Sequence, residues 1–153
     1  MALAIILVWY VSIGALSAAG AMYLSHRFVP AKHEATLYGL FLIAIAAFYL
    51  ACTSHFGDAA AWSLETVAVL AFAVMGCLGT RMPVVLMAGY ALHGGWDLLH
   101  EVQAHTQVDV FGGREATRIP LAYGAFCATF DWAMVVYFVY RRRHWLAAWK
   151  ARA

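Results

Sequence analysis

Five apolar stretches, roughly 2–24, 34–53, 61–80, 83–105 and 119–140, follow one another with only polar breaks between them. Each is close to the ~20 residues that a helix needs to cross a ~30 Å hydrocarbon core at 1.5 Å per residue. Inside such a core every backbone N–H and C=O must find its partner within the segment, which leaves helices as the solution for stretches of this length. The chain is 65% hydrophobic and 12% charged, against about 45–50% and about 25% for a soluble domain. The expectation is therefore an all-α polytopic membrane protein, a five-transmembrane-helix bundle forming a single domain over 1–153. A net charge of +2, with no basic face interleaved with aromatics, gives no reason to expect nucleic acid as a partner.

The breaks predict an orientation. Ser25–Glu34 is basic and carries Pro30, which ends any continuous helix. His55-Phe56-Gly57-Asp58 has no Lys or Arg, Gly79–Pro83 is a tight turn, and Thr106–Arg118 is the longest break, with Gly112-Gly113 as its turn. If the N-terminus is outside, Arg27, Lys32, Arg81, Arg141, Arg142, Arg143, Lys150 and Arg152 all face the cytoplasm, leaving Arg114 and Arg118 outside. N-out, C-in is the expectation, in a bacterial inner (plasma) membrane. The first stretch lacks a basic n-region and outruns a signal-peptide core, so it reads as a retained helix. Trp62, Trp145 and Trp149 fall where interfacial belts form, and the 145–149 segment is expected on the inner leaflet. His33-Glu34 reads as a helix-start pair. Cys52, Cys77 and Cys127 lie in separate stretches with no Cys-x-x-Cys pair, so neither a disulfide framework nor a redox motif is indicated.

The fourth stretch breaks the apolar pattern. His93-Gly94-Gly95-Trp96-Asp97-Leu98-Leu99-His100-Glu101 puts four ionisable groups into nine residues of a membrane helix. A carboxylate near a helix centre costs roughly 2.5–3.5 kcal/mol on the insertion scale, so it calls for a partner or a task. His93, Asp97 and His100 recur at i, i+4 and i+7, which places them on one face. Asp131, near the middle of the fifth stretch, lies at similar depth, on one face with Gly124 and Cys127. Mixed imidazole and carboxylate ligands suit zinc or non-haem iron, and bundles build such sites from facing helices. The metal ligands expected are His93, Asp97, His100, His55 and Asp131, holding one or two divalent ions. Glu101, Glu65 and Asp58 are the expected general acids or bases.

The segment Ala91–His100, with its His-Gly-x-Trp-Asp-x-x-His pattern, resembles a helix of small bacterial integral membrane proteins of uncharacterised activity. In polar inventory the chain is also similar to membrane zinc hydrolases of the alkaline ceramidase and progestin-receptor type, which implies His and Asp ligands within helices. Those have seven helices and a His-x3-His pair, whereas position 97 here is Asp. In size alone the chain is similar to the tryptophan-rich sensory/translocator proteins.

The function expected is that of a metal-dependent membrane enzyme, a hydrolase or oxidase, acting on an apolar or lipid-like substrate at an outward-facing intramembrane site. Two other classes compete: a proton-coupled small transporter using His93, Asp97 and Asp131 as a relay, and a haem-binding membrane protein. A homo-oligomer is compatible with any of them. Polar glue alone is a poor reason for so many ionisable groups, since such pairs average only ~0.6 kcal/mol in membranes.

Overall fold

Proline and glycine set the helix boundaries. In the computed structural model, which describes residues 2–151, α1 (Ala2–Phe28) ends just before Pro30, whose extended backbone precedes α2 (Ala31–Phe56). Gly57, at φ 70°, supplies the left-handed residue that closes α2. A 3₁₀ turn over Ala59–Ala61 then leads into α3 (Trp62–Gly79). Pro83 occupies the first turn of α4 (Pro83–His105), where its missing N–H costs nothing. α5 (Tyr123–Lys150) follows the long 106–122 loop. Among the described residues there is no strand. Arg152 lies outside the described residues.

The helices form an incomplete ring in which α1 packs on α5, α5 on α4, α4 on α3 and α3 on α2. α1 and α2, joined by the shortest of links, diverge beyond it and meet mainly near that link, where the Ser25 and Tyr38 hydroxyls are bonded at 2.5 Å. Small residues let the packed pairs approach closely: a Cβ on Gly39 of α2 would lie 2.5 Å from the Gly76 carbonyl oxygen of α3.

Polarity runs inside out. Trp9, Leu16, Leu40, Val67, Val84 and Val136, drawn from all five helices, are each more than half exposed. Glu34, Thr53, Glu65, His93, Asp97, His100 and Asp131 are buried. An apolar exterior of this extent fits hydrocarbon rather than water. Three segments, Ala2–Phe28, Ala31–Phe56 and Ala59–Gly79, are long and apolar enough to cross a membrane.

The tail departs from its sequence expectation. Residues 145–149 do not form a separate surface segment; they continue α5 to Lys150. Trp145 is fully buried against Phe138, with ring centroids 5.5 Å apart. It donates its indole N–H to Glu34 at 2.8 Å, so it is a core residue and not an interfacial anchor.

Candidate metal centre

His93 and Asp97 stand one turn apart on α4, and the 2.7 Å contact from His93 Nδ1 to Asp131 Oδ2 brings in α5. Asp97 Oδ2 faces the same Nδ1 at 3.2 Å. The close approach of the helices makes this convergence feasible. A side chain on Gly94 would run into Trp132, with a Cβ 2.8 Å from its Nε1, and one on Gly124 would collide with the Asp97 carbonyl. All three residues are at most 2% exposed. They offer one nitrogen and two oxygen atoms, all within 4.8 Å of one another.

Their hydrogen bonding is incomplete. Asp97 Oδ2, Asp131 Oδ1 and His93 Nε2 are buried with no hydrogen-bond partner among the described residues. Buried polar atoms are rarely left this way without a reason. Asp97 Oδ1 is held from outside the group, by the Tyr49 hydroxyl of α2, which donates to it at 2.5 Å.

The other residues singled out in the sequence go elsewhere. His100 shares the face of His93, but seven residues further on it lies about 10 Å along the axis, too far to share an ion. It contacts Glu65 Oε1 at 2.8 Å through Nε2 and the Trp96 carbonyl at 3.1 Å through Nδ1. The rings of Trp96, Phe111 and Tyr49 surround it. His55 is on the exposed side of the last turn of α2, edge-on to Phe56. Neither joins the centre.

The three carboxylates expected as acids or bases all hold the 106–122 loop and the start of α5. Glu65 Oε1 accepts the Thr117 backbone N–H at 2.9 Å. Glu101 accepts the N–H groups of Ala122 and Gly124, at 2.7 and 2.9 Å, and so caps α5. Asp58 accepts the Arg118 backbone and side-chain N–H groups, both at 2.9 Å. Burial would raise the Asp58 carboxyl, but the hydrogen bonds and charge of Arg118 outweigh it and hold the group below its usual range. Gly112 and Gly113, with φ of 63° and 78°, make the loop's turn, and the Phe111 ring packs at a tilt against Trp96 and His100.

The centre forms one wall of an apolar cavity of about 450 Å³. Gly20 and Leu24 of α1 and Phe41 of α2 line it and are also exposed on the outside, so it opens sideways between α1 and α2. Cys127 and Tyr123 line it from α5. Sequence reasoning missed Tyr49. It is one aromatic residue in an apolar stretch, and nothing in the string links it to an Asp 48 positions later.

A family model described as Family of unknown function (DUF6010) matches residues 10–144, a stretch that contains the whole centre. The chain belongs to that family. No curated protein and no solved structure matches it.

Proposed function

We propose that this is an integral membrane metalloprotein whose His93–Asp97–Asp131 group holds a divalent metal ion and acts on an apolar substrate that enters sideways from the bilayer. The observation that carries this reading is the set of unbonded carboxylate oxygens around His93, deep in the protein, on the wall of a cavity that reaches the lipid-facing surface. All five helices cross the membrane in this reading. α4 and α5 turn their polar faces onto each other and their apolar side chains outward, with the basic hairpin and tail cytoplasmic.

One imidazole and two carboxylates form a donor set that zinc, iron(II) or manganese(II) accepts in a site with open positions. Bound there, the ion acts as a Lewis acid or activates water. The chain supplies the rest. Tyr49 fixes the Asp97 carboxylate, α1 and α2 form the apolar entrance, and the 106–122 loop covers the opposite end of the bundle.

Elemental analysis of protein purified in mild detergent without chelators tests this. Stoichiometric metal is expected in the wild type, absent in His93→Ala and Asp131→Asn, and retained in His100→Gln because His100 is bonded elsewhere. Folded protein that is metal-free and cannot be loaded overturns it.

A second reading has its own observation. His93 bridges the two aspartates and Tyr49 donates to one of them, which makes a hydrogen-bonded chain that can carry protons. Proton flux in liposomes that His93→Ala abolishes, in protein without metal, would favour a proton-coupled carrier.

A further inference from the structure

The 450 Å³ cavity is not the only void along the α1–α2 seam. A second, of about 330 Å³, shares Ala21, Leu24 and Phe41 as walls and continues to the hairpin, where Phe28, Val29 and Leu37 enclose it. Together they form one largely apolar trough, in which the Ser25 and Tyr38 hydroxyls on the wall of the second void are bonded to each other at 2.5 Å. At the deep end stand His93, Asp97 and Asp131. At the hairpin end Phe28 forms part of the wall, and the exposed Arg27 guanidinium lies over its ring, 5.7 Å from the centroid. Lys32 follows within the same hairpin. The walls between are mostly alkyl and aromatic.

A trough with a cation at its mouth and hydrocarbon along its length matches a lipid with an anionic headgroup. We infer that the substrate is the acyl chain of a phosphate-bearing lipid in the hairpin-side leaflet. Its phosphate sits at Arg27 and its chain lies between α1 and α2, which brings mid-chain carbons to the metal centre. This rests on the proposed function for the role of the centre, but the binding mode stands on the trough alone. Ser17 and Arg27, ten residues apart on α1, put the ends about 15 Å apart. That is about half of the ~30 Å core, so the bonds within reach belong to the chain and not to the headgroup.

Gly20 provides a plug. It lines the cavity, and a Cβ added there meets nothing within 4 Å, so a large side chain has room at the mouth of the trough without a backbone clash. The full chain is placed in vesicles with phosphatidylglycerol carrying a photoreactive diazirine in the middle of one acyl chain. It is then irradiated and mapped by mass spectrometry. Adducts are expected on the inner walls, at Ile45, Phe126 and Phe130. They should fall about tenfold in Gly20→Trp, which corresponds to about 1.4 kcal/mol of binding, and also decline in Arg27→Glu. Val8→Trp, on the outward face of α1, should leave them unchanged.

The inference is overturned if inner-wall adducts are insensitive to Gly20→Trp, or if adducts appear only at outward side chains such as Val67 and Val136. Cross-links between two copies through the seam, with no lipid adduct, would overturn it in favour of a second chain as the occupant. The measurement is repeated after chelation. Labelling that persists in protein unable to bind metal would retire the metal reading and keep the lipid trough, whereas metal binding without labelling would do the reverse.

Discussion

Two carboxylates and an imidazole that meet in a buried space repel or strand one another unless a cation or a shared proton lies among them. Which oxygens are free is what favours the cation. Asp97 has one oxygen fixed by Tyr49 and the other unbonded towards His93, as expected of a ligand held in place from behind. Removing only the Tyr49 hydroxyl should therefore weaken the metal without removing it. Tyr49→Phe is expected to lower metal affinity about 10–100-fold, as outer hydrogen-bond partners do, read by competition with a chelator of known affinity. Unchanged affinity would mean that Asp97 is positioned by packing alone. At the loop, Asp58 allows a pH argument. Its carboxyl is held below the ordinary 3.8 by Arg118, so its contribution is complete above that value and is lost as pH falls through the lower, folded one. Hydrogen-exchange protection of the Thr117 and Arg118 amides should drop over that acidic range. In Asp58→Asn it should already be low at neutral pH. Equal protection in both proteins would show that the Glu65 contact suffices to hold the loop.

Each helix plays a different part, and α5 does most to join the bundle together. It carries Asp131 at one depth, and further along it presents Tyr137, Arg141 and Trp145 to Glu34 of α2. Glu34 is fully buried. It accepts from the Tyr137 hydroxyl, from Arg141 Nη2 at 2.6 Å and from Trp145 Nε1 at 2.8 Å, with Ser25 of α1 alongside. This joins α1, α2 and α5 at the hairpin end, below the trough. Glu34→Ala strands a guanidinium and should cost about 3–5 kcal/mol. Thermal unfolding in detergent should reveal that loss, while the protein still folded keeps its full metal content. Loss of metal at constant stability would instead show that the two clusters are coupled. The sequence reading of His33-Glu34 as a helix-start pair placed Glu34 correctly in the first turn of α2. It missed the side chain's destination because its partners lie more than 100 positions away. His93 and Asp97 were legible because both are on one helix at i, i+4. Asp131 was legible only through depth. Glu65, Glu101 and Asp58 were read as general acids or bases, and a string of residues cannot show that backbone amides of a distant loop are their partners.

For the molecule as a whole, the inside-out distribution was legible from composition, and the gap in the ring was not. Adjacent helices in a chain usually pack on each other, so α1 and α2 were natural neighbours. The structure instead docks α1 on α5, where a Cβ on Gly14 would lie 2.5 Å from the Phe126 carbonyl, and leaves a seam beside α2. A lipid exterior lets such a seam persist, because acyl chains fill it at no hydrophobic cost. The seam therefore depends on the transmembrane placement, which makes a specific prediction. In oriented vesicles, single cysteines at Val29, Arg81 and Trp149, on a background with Cys52, Cys77 and Cys127 replaced, should react with a membrane-impermeant maleimide from one side. A cysteine at Glu115 should react only from the other. A cysteine at Gly20 should resist the aqueous reagent from both sides and react with a hydrophobic maleimide, because the seam opens to hydrocarbon. If Gly20 reacts from water, the trough is a solvent cleft, and its occupant is an aqueous substrate and not a lipid.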